Sequence, residues 1–284
     1  MRILLTGRNG QVGWELERTL GPLGELIAFD RSGLDLSKPD EIVARVREIK
    51  PDVIVNPAAY TAVDKAESEP DLAMAINGTA PGILAEEAKK LGALLVHYST
   101  DYVFDGEKVE PYVETDPTNP LSEYGRSKLA GERAITASGA DHLIFRTSWV
   151  YANRGKNFLL TILRLAREKP ELRVVADQFG APTWARDIAT ATALVLARRP
   201  AGAEIRSGIY HLTAAGRTTW HGFAQRIVAL AGLSTPVAAI PASEYPTPAR
   251  RPRNSVLDHS KAESSFGLTL PAWDASLSRC LGSA

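Results

Sequence analysis

The chain has 284 residues, of which 44% are hydrophobic and 23% charged, close to the composition of an ordinary globular protein. Its 33 basic and 33 acidic side chains balance, which argues against a broad nucleic-acid surface and against a polybasic membrane surface. The single cysteine, Cys280, cannot form an internal disulfide, and the apolar run Ile3–Leu5 is too short for a signal peptide or a membrane span. We therefore expect a cytoplasmic protein that binds neither nucleic acid nor membrane.

The first half of the sequence alternates short apolar runs with longer amphipathic segments. The runs are rich in Val, Ile and Leu on both faces, as strands buried between two helix layers must be. They are Arg2–Leu5, Leu26–Phe29, Val53–Val55, Leu94–Tyr98 and Leu143–Arg146. Apolar residues at three- and four-residue spacing predict helices over Val12–Leu20, Pro39–Ile49, Leu72–Leu91 and Leu121–Ala137. This alternation predicts an α/β fold with a doubly wound parallel sheet.

After about Trp149 the strict alternation ends. The pattern there predicts a strand over Gly208–Thr213, and helices over Phe158–Glu168, Ala185–Arg199 and Thr218–Leu230, the last capped by Thr218 or Thr219. We therefore expect a first domain over residues 1–149. Residues 150–284 are expected to form mainly a second, smaller domain, with some segments returning to the first.

A proline-rich segment, Pro236–Pro252, has two interpretations. It is either a linker or a loop that covers an anionic ligand. The second interpretation depends on three closely spaced arginines, Arg250, Arg251 and Arg253.

A glycine-rich turn follows the first predicted strand. Gly7, Gly10 and Gly13 have the spacing G-x-x-G-x-x-G and open the first helix. Glycine permits a tight turn and a close approach of the backbone to a pyrophosphate, and the helix N-terminus beyond offers free N–H groups. In this position between strand and helix, the pattern favours a dinucleotide site over a purely structural turn.

The expected second strand ends at Asp30, 17 positions after Gly13. That separation is typical of a carboxylate that binds the adenosine ribose 2′-hydroxyl, which favours NAD. Arg8 and Arg31 could instead pair with a 2′-phosphate, although Arg31 could equally be a surface charge. We therefore expect NADPH or NADH to be used, with loose discrimination between them.

Tyr124 and Lys128 are spaced Y-x-x-x-K on a predicted helix that Ser122 could cap, so their side chains share one face. Reduction of a ketone requires this kind of pair, because the oxygen needs a proton when hydride attacks the carbon. A free phenol has a pKa of ~10, which a nearby ammonium lowers. The lysine can also hold the nicotinamide ribose. Without other evidence, a tyrosine and a lysine at this spacing are often exposed side chains on the surface of a helix with no catalytic role.

Two predicted strand ends support a site beside this pair, since ligands bind at the carboxyl ends of strands in such sheets. Ser99 and Thr100 follow one strand, and a hydroxyl there can hydrogen-bond the substrate oxygen and orient the phenol. Ala58 and Ala59 follow another strand, where small side chains would let the backbone pass close to the cofactor.

Together these motifs resemble the extended short-chain dehydrogenase/reductase family, and within it the dTDP-4-dehydrorhamnose reductases. The resemblance runs from Met1 to about Trp273 and is carried by TGRNGQVGWEL, NPAAYTAVDKAE, HYSTDYVFDG, YGRSK, RTSWVY, DQFGAPT, YHL and YPTPARRPRNS. It implies a Rossmann-like dinucleotide-binding domain with a smaller C-terminal substrate-binding domain. It also implies an oxidoreductase that reduces the C4 keto group of dTDP-4-dehydro-β-L-rhamnose to dTDP-L-rhamnose, a donor for cell-envelope polysaccharide.

The resemblance further implies roles for individual residues. Tyr124 would be the proton donor, Lys128 would lower its pKa and hold the ribose, and Thr100 would assist. The expected substrate contacts are Thr100, Asp101 and Trp149. The expected cofactor contacts are Gly7, Gly10, Gln11, Val12, Gly13, Asp30, Asp35, Leu36, Ala58, Ala59, Tyr60, Tyr98, Tyr124 and Lys128.

Some members of the family dimerise through Mg²⁺ held by glutamates. Glu15 is available here, but the segment after GAPT reads WARDIATATA and offers Asp187 and no glutamate. We therefore assign no metal, and we expect a monomer or a homodimer with a nucleotide sugar as its small-molecule substrate.

Two alternatives stay open. One is another nucleotide-sugar enzyme of the same fold. A 4,6-dehydratase is disfavoured because such enzymes resemble T-D-E where this chain has Thr100-Asp101-Tyr102, whereas an epimerase would reuse the same Tyr and Lys. The other is a non-catalytic protein similar to the regulatory subunit of methionine adenosyltransferase. The presence of Thr100, Tyr124 and Lys128 favours catalysis.

Overall fold

The computed structural model describes residues 1–198 and 206–282. Its strands are β1 (Arg2–Leu5), β2 (Glu25–Ala28), β3 (Val53–Asn56), β4 (Leu94–Thr100), β5 (His142–Thr147), β6 (Val150–Tyr151), β7 (Leu172–Val175), β8 (Phe179–Gly180), β9 (Thr183–Trp184), β10 (Gly208–His211), β11 (Thr218–Thr219) and β12 (Val237–Ile240). Its helices are α1 (Gln11–Leu20), α2 (Pro39–Ile49), α3 (Val63–Ala66), α4 (Pro70–Met74), α5 (Ala80–Leu91), α6 (Glu123–Ser138), α7 (Phe158–Glu168), α8 (Ala185–Ala197), α9 (Trp220–Leu230), α10 (Ser260–Phe266) and α11 (Trp273–Gly282). No helix in these two ranges is long and apolar enough to cross a membrane.

Six parallel strands form the central sheet in the order β10-β5-β4-β3-β1-β2. Successive side chains of a strand point to opposite faces, and both faces are covered here. In β1, Ile3 and Leu5 pack toward α1 and α8, whereas Leu4 packs toward α2, α5 and α6. Burial on both faces explains why the strands read as continuous apolar runs, and the predicted doubly wound parallel sheet is confirmed.

The order of the strands opens a crevice above the sheet. From β1 the chain moves outward to β2 and then returns to β3 on the other side of β1. The loops after β1 and β3 therefore diverge, and in such sheets ligands bind at this reversal, beyond the carboxyl ends of the strands. The glycine turn and Ala58 belong to those two loops.

Several predicted elements differ from those observed at their ends, and two of the differences bear on the site. The strand β2 ends at Ala28, so Asp30 lies in the following turn and not at the strand end. The helix predicted over Leu72–Leu91 begins at Pro70 and contains a π-helical turn at Ala75–Thr79. A π-helical turn is defined by its i→i+5 hydrogen bonds, and the spacing of apolar residues over five positions does not reveal them.

The remaining elements form a smaller unit with its own apolar core. Its cluster is built by α7, α9, α11 and the strand pair β7–β12, and it includes Leu159, Trp184, Phe223 and Leu277. Asn157 caps α7 and Thr219 caps α9 with side-chain hydrogen bonds. We propose the domain boundary at residues 149 and 150, with β10 and α8 returning to the large sheet. Arg199, the last residue of one predicted helix, lies outside the described residues.

The proline-rich segment is not a linker. Its residues Val237–Ile240 form β12, which pairs in parallel with β7. The chain beyond it forms single bridges to the rest of the molecule, from Asn254 to Phe179 and from Leu257 to Tyr112. The segment therefore lies folded against both parts of the structure.

A buried ion pair fixes α6 on the sheet. The Arg146 guanidinium of β5 donates two hydrogen bonds to the Glu132 carboxylate, at 2.9 and 2.6 Å, and both side chains are 2% exposed. Burial removes both charged groups from water, and their attraction to each other offsets this desolvation cost.

Glu132→Ala is expected to lower the free energy of unfolding by about 3–5 kcal/mol, because it leaves the Arg146 charge buried without its partner. Urea unfolding followed by circular dichroism measures the change. The control is Glu168→Ala, since Glu168 pairs with Arg164 at the surface and such pairs contribute about 0–1 kcal/mol. Equal losses in the two variants would contradict the importance of the buried pair.

Candidate active site

A groove of about 830 Å³ lies at the carboxyl ends of β1, β3 and β4. The structure brings together there every residue of the expected cofactor set except Gly13. Those that line the groove are Gly7, Gly10, Gln11, Val12, Asp30, Asp35, Leu36, Ala58, Ala59, Tyr60, Tyr98, Tyr124 and Lys128.

The glycines of the first turn are required by close packing. Gly7 has φ of +59°, and a Cβ there would lie 2.8 Å from Ala58 Cβ. A Cβ on Gly13 would lie 2.1 Å from the Gly7 carbonyl oxygen, so Gly13 supports the turn from below and does not line the groove. Gly10 precedes α1 without a side-chain cap, which leaves the first N–H groups of that helix available. The turn fits the pyrophosphate of a dinucleotide.

Charged side chains surround the end of the groove beyond β2. Asp30 accepts hydrogen bonds from Ser32 and Asn9, and those from Ser32 are the main reason that its pKa is lowered. Arg31 pairs with Asp35 at 3.4 Å and is largely exposed. Arg8 does not line the groove, and its guanidinium pairs with Glu17.

Tyr124 and Lys128 meet the groove at its other end. Ser122 caps α6 by accepting a hydrogen bond from the Gly125 N–H at 3.2 Å, so the helix begins just before the tyrosine. Burial raises the pKa of Tyr124 to about 12, and a hydrogen bond with Thr100 opposes the rise. The shift is opposite to the lowering expected from Lys128, because loss of water around the buried phenol dominates. Burial lowers the pKa of Lys128 to about 8, and the nearby Glu132 carboxylate opposes that change. At neutral pH both groups therefore hold their protons.

Thr100 links the phenol to a buried carboxyl group. Its hydroxyl donates to Asp101 Oδ1 at 3.0 Å and accepts from the Tyr102 N–H at 3.2 Å. Burial raises the pKa of Asp101 to about 6. Thr100 and Asp101 lie behind the groove wall, next to Tyr124, and do not line the groove itself.

Trp149, expected to contact substrate, is not among the residues that line the groove. Its backbone has φ of +48°, which is unfavourable for a bulky side chain. Its ring stacks on Trp220 with centroids 3.6 Å apart, and a Cβ on Gly180 would lie 2.4 Å from that ring. The tryptophan pair forms part of the boundary between the two units.

A second cavity, of about 620 Å³, contains a cluster of arginines. Arg251 forms a two-bonded pair with Asp64, at 3.1 and 2.8 Å. The cavity is also lined by Leu121 and Asp105, from the segment that joins β4 to α6, and by Arg217, Arg250, Arg251 and Arg253. The proline-rich segment and the residue directly after it thus supply three of the four arginines of this cavity, which lies beside the start of α6. That this loop covers an anionic ligand stays a prediction.

Among the residues of these sites that sequence reasoning missed are His97, Asn77 and Arg217. His97 and Asn77 are fully buried and contact Lys128 and the Tyr60 backbone, respectively. For His97, the sequence does contain a signal, because it is a single polar residue within an apolar strand. Nothing in the spacing marks Asn77, which lies in the π-helical turn, or Arg217, which reaches its cavity only through the fold.

Metal-binding side chains do not converge in the part of the chain that the structure describes: no group of three or more His, Cys, Asp or Glu residues is suitably placed. Glu15 is buried and pairs with Arg186 at 3.2 Å. Asp187 accepts from Ser276 and from Arg279.

Comparisons with known proteins agree on one family. The chain matches the family described as RmlD substrate binding domain over residues 1–284. It is 54% identical to the dTDP-4-dehydrorhamnose reductase of Burkholderia thailandensis, covering 99% of this chain and 98% of the relative, and 50% identical to that of Escherichia coli K12, covering 99% and 97%.

Solved structures give the same result. The dTDP-4-dehydrorhamnose reductase of Bacillus anthracis, determined in complex with NADP, superposes with a TM-score of 0.94 at 35% identity and covers 100% of this chain and 99% of that one. The UDP-glucose 4-epimerase of Thermus thermophilus, determined with NAD, has a TM-score of 0.83 at 22% identity, with 99% and 98% covered, and shows the shared fold alone. The chain therefore belongs to the dTDP-4-dehydrorhamnose reductases, the family described by the RmlD substrate binding domain.

Proposed function

We propose that the protein uses NADPH or NADH to reduce the C4 keto group of dTDP-4-dehydro-β-L-rhamnose to dTDP-L-rhamnose, in dTDP-rhamnose biosynthesis. The observation that carries this proposal is the buried Tyr124–Lys128 pair at one end of a groove whose other end has a glycine turn suited to a pyrophosphate. Relatives that are half identical or more over nearly their full length are dTDP-4-dehydrorhamnose reductases.

Tyr124 is the proton donor in this proposal. When bound, the reduced nicotinamide supplies the hydride. The carbonyl oxygen gains charge as its carbon is attacked, and the Tyr124 phenol, protonated at neutral pH, gives it a proton. The Lys128 ammonium, one helical turn further along α6, then stabilises the phenolate that remains. Thr100 hydrogen-bonds the phenol and holds it in orientation.

The arginine cavity supports a substrate that carries phosphates. Guanidinium groups bind phosphate oxygens with two parallel hydrogen bonds, and this cavity lies beside the start of α6. We propose that the nucleotide diphosphate of the substrate lies there, while its sugar extends toward Tyr124. Trp149 and Asp101 remain proposed sugar contacts, although neither lines the groove and Asp101 is 2% exposed behind Thr100.

We also propose a cytoplasmic location and a monomer or homodimer without a structural metal. Cys280 is buried as a free thiol, which suits a reducing compartment. Glu15 and Asp187 each have a basic partner, as Arg186 and Arg279 hold them in ion pairs.

Wild-type protein is expected to oxidise NADPH or NADH when mixed with dTDP-4-dehydro-β-L-rhamnose, as measured by the loss of nicotinamide absorbance. Tyr124→Phe removes the donated proton and should lower kcat by about 10²–10⁴-fold or more. Tyr245→Phe is the control, because that phenol is 62% exposed and outside the groove. A near-normal rate for the Tyr124 variant would exclude it as the donor. Absence of nicotinamide oxidation by the wild type would exclude the reductase, and an epimerase would give no net oxidation.

The pH profile of kcat/KM is expected to fall as pH rises through about 8. The pKa of Lys128 is lowered to about 8, so the ammonium is present below that pH and is lost above it. Initial rates between pH 6 and 10, with the stability of the protein checked at each pH, measure this fall in kcat/KM, the alkaline limb of the profile. Activity that stays constant to pH 10 would contradict a role for the Lys128 charge.

Gly13→Ala is expected to weaken NADPH binding by about tenfold or more. A loss of only ~1.4 kcal/mol of binding free energy, caused by displacement of the turn, gives a tenfold change in Kd. The added methyl would lie 2.1 Å from the Gly7 carbonyl oxygen and displace the turn. Fluorescence titration of NADPH measures the affinity. Gly21→Ala is the control, because a Cβ there meets nothing within 4 Å. Equal affinities in the two variants would refute the role of the turn.

A further inference from the structure

A row of buried polar side chains leads from the central strands to Lys128. His97 lies in the middle of β4 and faces α6, with its Nε2 atom 3.2 Å from Lys128 Nζ. Its Nδ1 atom is 3.1 Å from the Asn56 side-chain nitrogen, and the oxygen of that amide is 2.6 Å from Thr6 Oγ1. All four side chains are at most 2% exposed, so they are shielded from bulk water. The sequence pattern assigned none of these partners to the lysine.

The hydrogen-bond donors and acceptors around His97 restrict which of its two ring nitrogens can carry the hydrogen. A lysine ammonium has three donors and no acceptor, whereas a neutral imidazole has one donor and one acceptor. Lys128 Nζ donates to the Tyr98 carbonyl oxygen at 2.6 Å and also faces His97 Nε2. If Nε2 carried a hydrogen, two donors would face each other, and Lys128 would be driven toward its neutral form. A charged lysine therefore requires a bare Nε2 and a hydrogen on Nδ1.

Asn56 can hold that tautomer. The two ends of a side-chain amide have the same shape, so Asn56 fits its site with either the oxygen or the nitrogen toward His97. With the oxygen toward His97, it accepts from Nδ1–H, and the amide nitrogen donates to Thr6 Oγ1. The Thr6 hydroxyl can accept as well as donate, so each group in the row keeps a partner.

The electrostatic surroundings keep His97 neutral. Burial and the neighbouring Lys128 charge lower the pKa of His97 well below its ordinary value. Other charges face the lysine from Glu132, one turn further along α6, whose carboxylate is bound by Arg146 of β5. Toward the groove, Tyr124 and then Asp101 are the next titratable groups. In the described part of the chain, the ammonium's hydrogen-bond partners are thus the Tyr98 carbonyl and His97.

We propose that His97 is a positioning residue that holds Lys128 as an ammonium: Nε2 accepts a hydrogen bond from Nζ, and Asn56 fixes the hydrogen on Nδ1. The inference rests on the proposed function and deepens it, because Lys128 acts on Tyr124 only while it is charged. His97 itself touches neither substrate nor cofactor, since it lies beneath the groove and does not line it.

His97→Leu removes the acceptor and should shift the alkaline limb of kcat/KM to lower pH by about one unit, as expected when a hydrogen bond to a charged group is lost. His97→Gln places an amide oxygen near the position of Nε2 and should leave the limb in place. His142→Leu is the matched control, because His142 is also a buried strand histidine but bonds to the Ala140 backbone, away from the groove. A folded His97→Leu variant with the wild-type limb would overturn the proposal.

A second measurement needs no substrate. Nitrogen NMR of wild-type His97 should show an unprotonated Nε2 and a protonated Nδ1, and the Lys128 Cε signal should titrate at lower pH in His97→Leu than in His97→Gln. A hydrogen on Nε2 in the wild type would overturn the proposal even if His97→Leu does not fold. If the wild type does not reduce the sugar nucleotide, the proposed function fails, while the tautomer and the lysine titration still decide the role of His97.

Discussion

The position of α6 on the sheet is the constraint on which the site depends. Two charged side chains of this helix, Lys128 and Glu132, are buried against β4 and β5. A buried charge is tolerated only with good partners, so each one specifies where the helix lies. Glu132 finds its partner in Arg146, and Lys128 finds it in the Tyr98 carbonyl and His97. The helix that carries Tyr124 is thereby held in one register against the strand that carries Thr100.

The same burial determines the protonation states of the site. Removing water disfavours charge, which raises the pKa of Tyr124 and Asp101 and lowers that of Lys128. A phenol that keeps its proton is suited to donating it, and a lysine that retains its charge at neutral pH is suited to stabilising what remains. Burial works against the charge of Lys128, so the ammonium depends on its hydrogen-bond partners. The position of the helix and the protonation states of Tyr124 and Lys128 therefore depend on one set of buried contacts.

The arginine cavity lies where the smaller unit meets the segment that leads into α6. Arg217 and the arginines of the proline-rich segment converge on the cavity beside α6, although they are far from Tyr124 in sequence. The segment reaches that position because β12 pairs with β7 and Asn254 bridges to Phe179. Stacking of Trp149 on Trp220 connects the two units at the same place.

The sequence by itself determined the sheet, the glycine turn, the catalytic pair and the family, because each depends on local spacing. Apolar runs buried on both faces, glycines at a fixed separation, and two residues four apart on a helix can all be recognised without knowing what packs against them. The tertiary structure alone decided what those residues touch. The π-helical turn at Asn77, the row from Thr6 to His97, and the arrival of Arg217 beside α6 all arise from contacts between segments distant in sequence. For the same reason, only the fold shows that Lys128 is buried on His97 and the Tyr98 carbonyl, which decides its charge.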